Sequence, residues 1–284
     1  MTESFDIGGD LAVSRLGFGA MRITGEGIWG WPKDREAAKR LVRRAVELGV
    51  SLIDTADAYG PETSEYLLAE ALHPYDGLVI ATKGGLERRG PGEWSTNGRP
   101  EHLEIACNNS LRRLEVERID LYQLHAIDDD VPLEESVGAL VDLQKEGKIR
   151  HIGVSNCPVP ALERARKIAD VVTVQNRYNL SDRKHEAVVD YCEAHGIGFI
   201  PWYPLATGEL TQHETLKEIA TKYDASAGQL ALAWLLRRAP VVLPIPGTSS
   251  VAHLEENVAA RDLTLDDEDF DRLSALSAPA TDGD

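Results

Sequence analysis

Three ionisable side chains in this sequence each close a short apolar run. Asp54 follows Leu52 and Ile53, Lys83 ends LVIATK (78–83), and His125 ends LYQLH (121–125). Tyr59 lies shortly beyond Asp54, in the loop DTADAYG. If parallel strands set these ends side by side, a carboxylate, an ammonium, a phenol and an imidazole share one pocket. The carboxylate would keep the lysine charged and oriented. The lysine would favour the phenolate and so lower a tyrosine pKa that ordinarily sits at about 10. This is a pattern for general-acid catalysis by Tyr59, with His125 placed to hydrogen-bond a carbonyl. Taken singly, the same residues fit a structural ion pair and a packed histidine, so the set carries weight that its members do not.

Such a pocket needs a scaffold that brings strand ends together. β-rich runs fall at 15–20, 51–56, 78–83, 121–125, 151–156, 171–176, 197–203 and 241–247. Between them lie segments with apolar residues at three- and four-residue spacing, such as DREAAKRLVRRAVELG and RPEHLEIACNNSLRRLE. Asp34 and Pro100 are suited to start helices, and Gly49, Gly147 and Gly196 to end them. Repeated strand and helix units of this number predict an α/β fold, a closed (β/α)8 TIM barrel, with residues 1–284 as one domain and the site at the carboxyl ends of the strands. A doubly wound sheet is the alternative, but no GxGxxG follows the first run. Asn156, Gln175 and Trp202 end later runs and join the candidate mouth.

Composition narrows the partners. With 47 acidic against 30 basic residues the net charge is −17, which argues against nucleic acid or an anionic membrane surface as partner. No apolar stretch has the length of a membrane span and the start lacks the pattern of a signal peptide, so a cytoplasmic protein is expected. Cys107, Cys157 and Cys192 are widely separated and read as reduced thiols, and the histidines show no metal-ligand spacing. No metal is expected.

The segments RLGFGAM, IDTADAYG, ATKGG, LYQLH, IGVSN, VQNRYN and IPGTSS with HLEEN resemble, in order and spacing, the aldo-keto reductase family from about residue 15 to residue 260. GIWGWP near the front and IPGTSSVAHLEEN near the back look most like its bacterial pyridoxal reductase-like branch. The resemblance implies a catalytic tetrad of Asp54, Tyr59, Lys83 and His125, and reduction of an aldehyde or ketone by NADPH. It implies that Ser155, Asn156 and Gln175 hold the nicotinamide carboxamide and that Trp202 stacks on the ring. Pro204, Leu205 and Gly208 would follow the pyrophosphate, and Gly19 and Met21 would lie under the cofactor. Gly247, Thr248, Ser249, His253, Glu256 and Asn257 would surround the adenosine end. Many members carry a Lys or Arg where Gly247 or Ser249 stands here and an Arg in place of His253, so a modest preference for NADPH is expected, with NADH possible. The small carbonyl substrate would meet Tyr59, His125, Trp29 and Trp94, which favours flat aromatic aldehydes, pyridoxal first. The rival reading is a non-catalytic, cofactor-sensing subunit of the same fold.

Overall fold

The computed structural model describes residues 4–205 and 214–276. A hairpin of β1 (Ser4–Ile7) and β2 (Leu11–Ser14) precedes β3 (Phe18–Gly19) and β4 (Leu52–Asp54). Then come β5 (Val79–Gly84), a second hairpin of β6 (Leu86–Gly90) and β7 (Glu93–Thr96), β8 (Ile119–Leu124), β9 (Ile149–Ser155), β10 (Val171–Arg177) and β11 (Gly198–Trp202). Seven strands form one parallel sheet in the order β11-β10-β9-β8-β5-β4-β3.

The eighth expected run, 241–247, completes the circle without becoming a regular strand. Phe199 N donates to Val241 O and Leu243 N to Phe199 O, both at 2.8 Å, on the β11 side. On the β3 side, Gly17 N donates to Pro244 O at 2.9 Å and Gly19 N to Pro246 O at 3.4 Å. Pro244 and Pro246 have no N–H to return, so the pairing is one-way. The expected (β/α)8 barrel is therefore present, closed by a proline-interrupted segment.

Helices alternate with the strands and begin where the side chains allow. Asp34 Oδ1 accepts from Ala37 N at 2.8 Å at the head of Arg35–Glu47, Pro100 opens Pro100–Leu114, and Gly196 closes Glu186–His195 in the left-handed conformation. Among the described residues no helix is long and apolar enough to cross a membrane.

Two apolar layers result. The larger lies between strands and helices and takes Ile53, Ile80, Tyr122, Leu124 and Phe199. The smaller fills the barrel interior with Leu52, Val79, Ala81, Leu121, Ile200, Leu243 and Ile245, and Ile7, Leu11 and Val13 of the first hairpin plug its base. Because strand side chains alternate, the interior series continues outward to Asp54, Lys83, Gln123, His125, Trp202 and Gly247 at the mouth. A register shift between Val171 and Thr173 puts Gln175 into the same series.

Close packing at the Lys83 end of β5 makes the fold sensitive there. A methyl group on Gly84 would lie 2.1 Å from Tyr122 Oη, and that hydroxyl is buried with no hydrogen-bond partner among the described residues. Gly84→Ala should lower stability by about 1–3 kcal/mol, the usual cost of overpacking, and Tyr122→Phe in the same chain should return part of it. Urea unfolding of the single and double variants checks this, and an unaltered midpoint for Gly84→Ala would contradict the packing.

Candidate active site

Lys83 is fully buried and its three ammonium protons have three acceptors. Nζ donates to Asp54 Oδ2 and to the Thr55 carbonyl, each at 2.7 Å, and to Tyr59 Oη at 3.4 Å. On the other side of the carboxylate, Asp54 Oδ1 accepts from Gln175 Nε2 at 2.8 Å and from Gln123 Nε2 at 3.4 Å. Side chains from β4, β5, β8 and β10 thus converge on one ion pair. The Tyr59 and His125 rings meet edge to face, with centroids 5.8 Å apart.

Burial disfavours the charge on Lys83, but attraction to Asp54 and the bonds it makes more than offset this, and the ammonium is held above the ordinary lysine range. His125 is pushed well below its usual value, first by burial and then by the Lys83 charge, so the imidazole is neutral at physiological pH. Tyr59 corrects the sequence expectation. Its pKa is raised, because burial outweighs the Lys83 charge that opposes it, and the Asp54 carboxylate adds to the rise. Residue pairing gave the sign of the lysine effect, whereas the desolvation that exceeds it is a property of the folded pocket.

A cavity of about 480 Å3 opens above this group and is lined by Asp54, Tyr59 and His125. Of the expected cofactor residues, Gly19, Met21, Ser155, Asn156, Gln175, Trp202, Pro204, Leu205 and Gly247 line it as well. The Trp202 indole N–H donates to Asn156 Oδ1 at 3.1 Å, and Asn156 Nδ2 donates to the His125 carbonyl at 3.0 Å. Asn156 adopts φ 55°, a left-handed conformation that asparagine tolerates better than most residues. Ser155 Oγ donates to Gln175 O at 2.8 Å. A cluster of hydroxyl and amide groups beside a tryptophan whose one polar atom is engaged suits a flat heteroaromatic ring bearing a carboxamide.

Other expected residues lie elsewhere. Gly208 falls outside the described residues. Thr248, Ser249, His253, Glu256 and Asn257 are not in the cavity wall. They occupy the turn after Gly247 and the helix Val251–Ala259, where Thr248 Oγ1 accepts from Ser250 N and Ser250 Oγ from His253 N. Trp94 lines the cavity, but Trp29 does not. The Arg88 guanidinium stands between them, 5.6 Å from the Trp29 ring centroid and 3.7 Å from that of Trp94. Arg22, Leu86, Tyr203 and Ile245 are wall residues that the sequence reading missed. Alternation with Gly247 would have found Ile245, and adjacency to Met21 and Trp202 would have suggested Arg22 and Tyr203. Among the described residues Arg22 is exposed, has no hydrogen-bond or ion-pair partner, and is the only lysine or arginine in the wall. Cys107, Cys157 and Cys192 are buried, which pushes their thiols up to about 12 and leaves them unreactive at neutral pH.

Removing one member of a buried ion pair strands the other charge. Asp54→Ala should cost about 3–5 kcal/mol, and adding Lys83→Met should recover much of the loss. A double-mutant cycle by urea unfolding measures the coupling; strictly additive losses would show that the two residues act independently.

Residues 15–278 match the aldo/keto reductase family. The chain is 53% identical over 266 residues to an uncharacterized oxidoreductase of Schizosaccharomyces pombe, covering 93% of this chain and 87% of that one. It is 41% identical over 276 residues to pyridoxine 4-dehydrogenase of Escherichia coli, covering 95% and 96%. The crystal structure of a Klebsiella pneumoniae aldo/keto reductase in complex with NADP and acetate superposes with a TM-score of 0.84 at 28% identity, covering 100% of this chain and 98% of that one. With its barrel, its strand-end ion pair and a match across nearly its whole length, the chain belongs to the aldo/keto reductase family.

Proposed function

We propose that this chain, acting as a single barrel domain, reduces an aldehyde or ketone to the alcohol with NADPH, and that Tyr59 delivers the proton. The observation that carries the reading is Lys83 Nζ, bonded at once to Asp54 and to the Tyr59 hydroxyl beneath an open cavity. A reduced nicotinamide supplies the hydride when bound. The amide and hydroxyl groups of Ser155, Asn156 and Gln175 would hold its carboxamide, with Trp202 against the ring.

The chain's own residues then have defined tasks. Tyr59, with its pKa raised, keeps its proton until a carbonyl oxygen gains negative charge and takes it. Lys83 stabilises the phenolate left behind, and in a buried site that attraction is stronger than in water. Asp54 fixes the Lys83 charge in place. Neutral His125 donates a hydrogen bond to the carbonyl oxygen and adds no charge that would compete for the proton.

The substrate proposed is a planar aromatic aldehyde. The E. coli relative is named for pyridoxine, and here the cavity has Leu86 and Trp94 in its wall, so pyridoxal is the first candidate. The acidic chain charge supports small-molecule rather than nucleic-acid partners.

Tyr59→Phe should lower kcat for pyridoxal by about 100-fold or more while NADPH affinity, followed by fluorescence titration, changes less than about twofold. Retention of near-normal turnover would remove Tyr59 from the mechanism. A second outcome concerns the cofactor's phosphates. NADPH should bind more tightly than NADH, and Arg22→Ala should narrow that difference by up to about tenfold, the scale of one charge-assisted hydrogen bond at an exposed site. Equal loss for both dinucleotides would move Arg22 away from the 2′-phosphate.

A further inference from the structure

The β6–β7 hairpin supplies Leu86 and Trp94 to the cavity, yet a two-stranded ribbon has little stability of its own. Trp94 is 39% exposed, so burial does not fix it. The residue directly opposite in the hairpin register is Arg88, whose guanidinium lies 3.7 Å from the Trp94 ring centroid.

Arg88 uses all three nitrogens on backbone carbonyls. Nη1 donates to Ile28 O and Ala58 O, both at 3.1 Å. Nη2 donates to Gly27 O at 3.3 Å and Gly90 O at 3.4 Å, and Nε to Glu93 O at 3.2 Å. One planar group thereby joins the hairpin to the 26–30 loop and to the carbonyl immediately before Tyr59. Its other flank meets Trp29 at 5.6 Å. The 26–30 loop is itself tied beyond Tyr59, with Gly30 N donating to Gly60 O at 2.5 Å. Only a guanidinium has both the forked donors for two loops and a flat face for an indole; a lysine ammonium lacks the fork and the face.

We propose that Arg88 is the positioning residue of the substrate wall. It holds Trp94 at a set place relative to Tyr59 and thereby selects planar aromatic aldehydes over small aliphatic ones. The inference rests on the carbonyl-reductase reading for its kinetic readout, and its physical content is a binding wall of fixed position. A flat ring gains from an indole held still, because the ordering of that side chain is completed before the ligand arrives. Propanal has no ring to lie against an indole and gains nothing from the wall.

The test compares wild type, Arg88→Met, Arg88→Lys, Trp94→Ala and the Arg88→Met/Trp94→Ala double variant. Expected for Arg88→Met is a rise of about tenfold in KM for benzaldehyde and pyridoxal, with kcat and KM for propanal and the NADPH Kd within about twofold of wild type. Arg88→Lys should resemble Arg88→Met, since charge without the fork does not suffice. Trp94→Ala, an exposed change that should leave folding intact, should lose the aromatic preference by itself, and Arg88→Met should add no further loss to it. An equal fall for aromatic and aliphatic substrates, an undiminished Arg88→Met effect in the Trp94→Ala background, or an aromatic preference that survives Trp94→Ala would each overturn the proposal. Calorimetric binding of benzyl alcohol to the NADP-loaded protein reads the same wall without turnover. A wild type that reduces no aldehyde yet binds benzyl alcohol in a manner weakened by Arg88→Met would refute the functional reading and uphold the wall.

Discussion

The active end of this barrel depends on keeping one fully buried lysine charged. Moving an ammonium into a buried site costs several kcal/mol unless every proton finds a partner and the counter-charge is close. Lys83 meets both conditions, with Asp54, Thr55 and Tyr59 as acceptors. The carboxylate is held in turn by glutamines from β8 and β10. The requirement reaches across four strands, so the ion pair constrains strand register as well as chemistry. A slip of one residue in any of them would turn its polar side chain into the helix-facing apolar layer.

The unequal lengths of those bonds suit the proposed proton transfer. Two are short, to groups that do not change during a reduction, and the third, to Tyr59, is long at 3.4 Å. Lys83 is thus anchored by Asp54 and Thr55 and remains available to a phenolate. The burial that raises the Tyr59 pKa in the resting site also strengthens the pull of Lys83 on the anion. Both effects come from the same low-dielectric surroundings, which explains why a raised pKa is compatible with an acid role.

Much of this was legible in the sequence because strand periodicity is local. Asp54, Lys83, His125, Gln175 and Trp202 each close an apolar run, and alternation alone carries all but Gln175 to the barrel mouth. Gln175 arrives there through a register shift that no local pattern announces. No β-rich run marks the second hairpin in the sequence, since its order comes from Arg88 bonds to residues 27, 28 and 58 rather than from its own composition. For the same reason Trp29 and Trp94 look equivalent in the sequence as aromatic substrate contacts, although Arg88 lies against both and only Trp94 reaches the cavity. The sign of the Tyr59 shift was missed because burial is a tertiary quantity.

At the barrel seam, the proposed adenosine end draws its charge from the first segment rather than the last. The last loop lacks the lysine or arginine expected of many relatives, and its hydroxyls are partly committed, Thr248 to Ser250 N and Ser250 to His253 N. Gly19 and Gly247 let the first and last segments approach closely: a methyl on Gly19 would lie 2.7 Å from Ile245 O, and one on Gly247 would lie 2.8 Å from Gly19 O. That approach sets the Arg22 stem beside Gly247, with its Cγ 3.6 Å from where such a methyl would be. A cation missing from one side of the seam is therefore present on the other, far away in sequence and adjacent in space. The bare backbones of both glycines bring the two loops together, and under the proposed function Arg22 takes the cofactor phosphate that a charged last loop would otherwise hold.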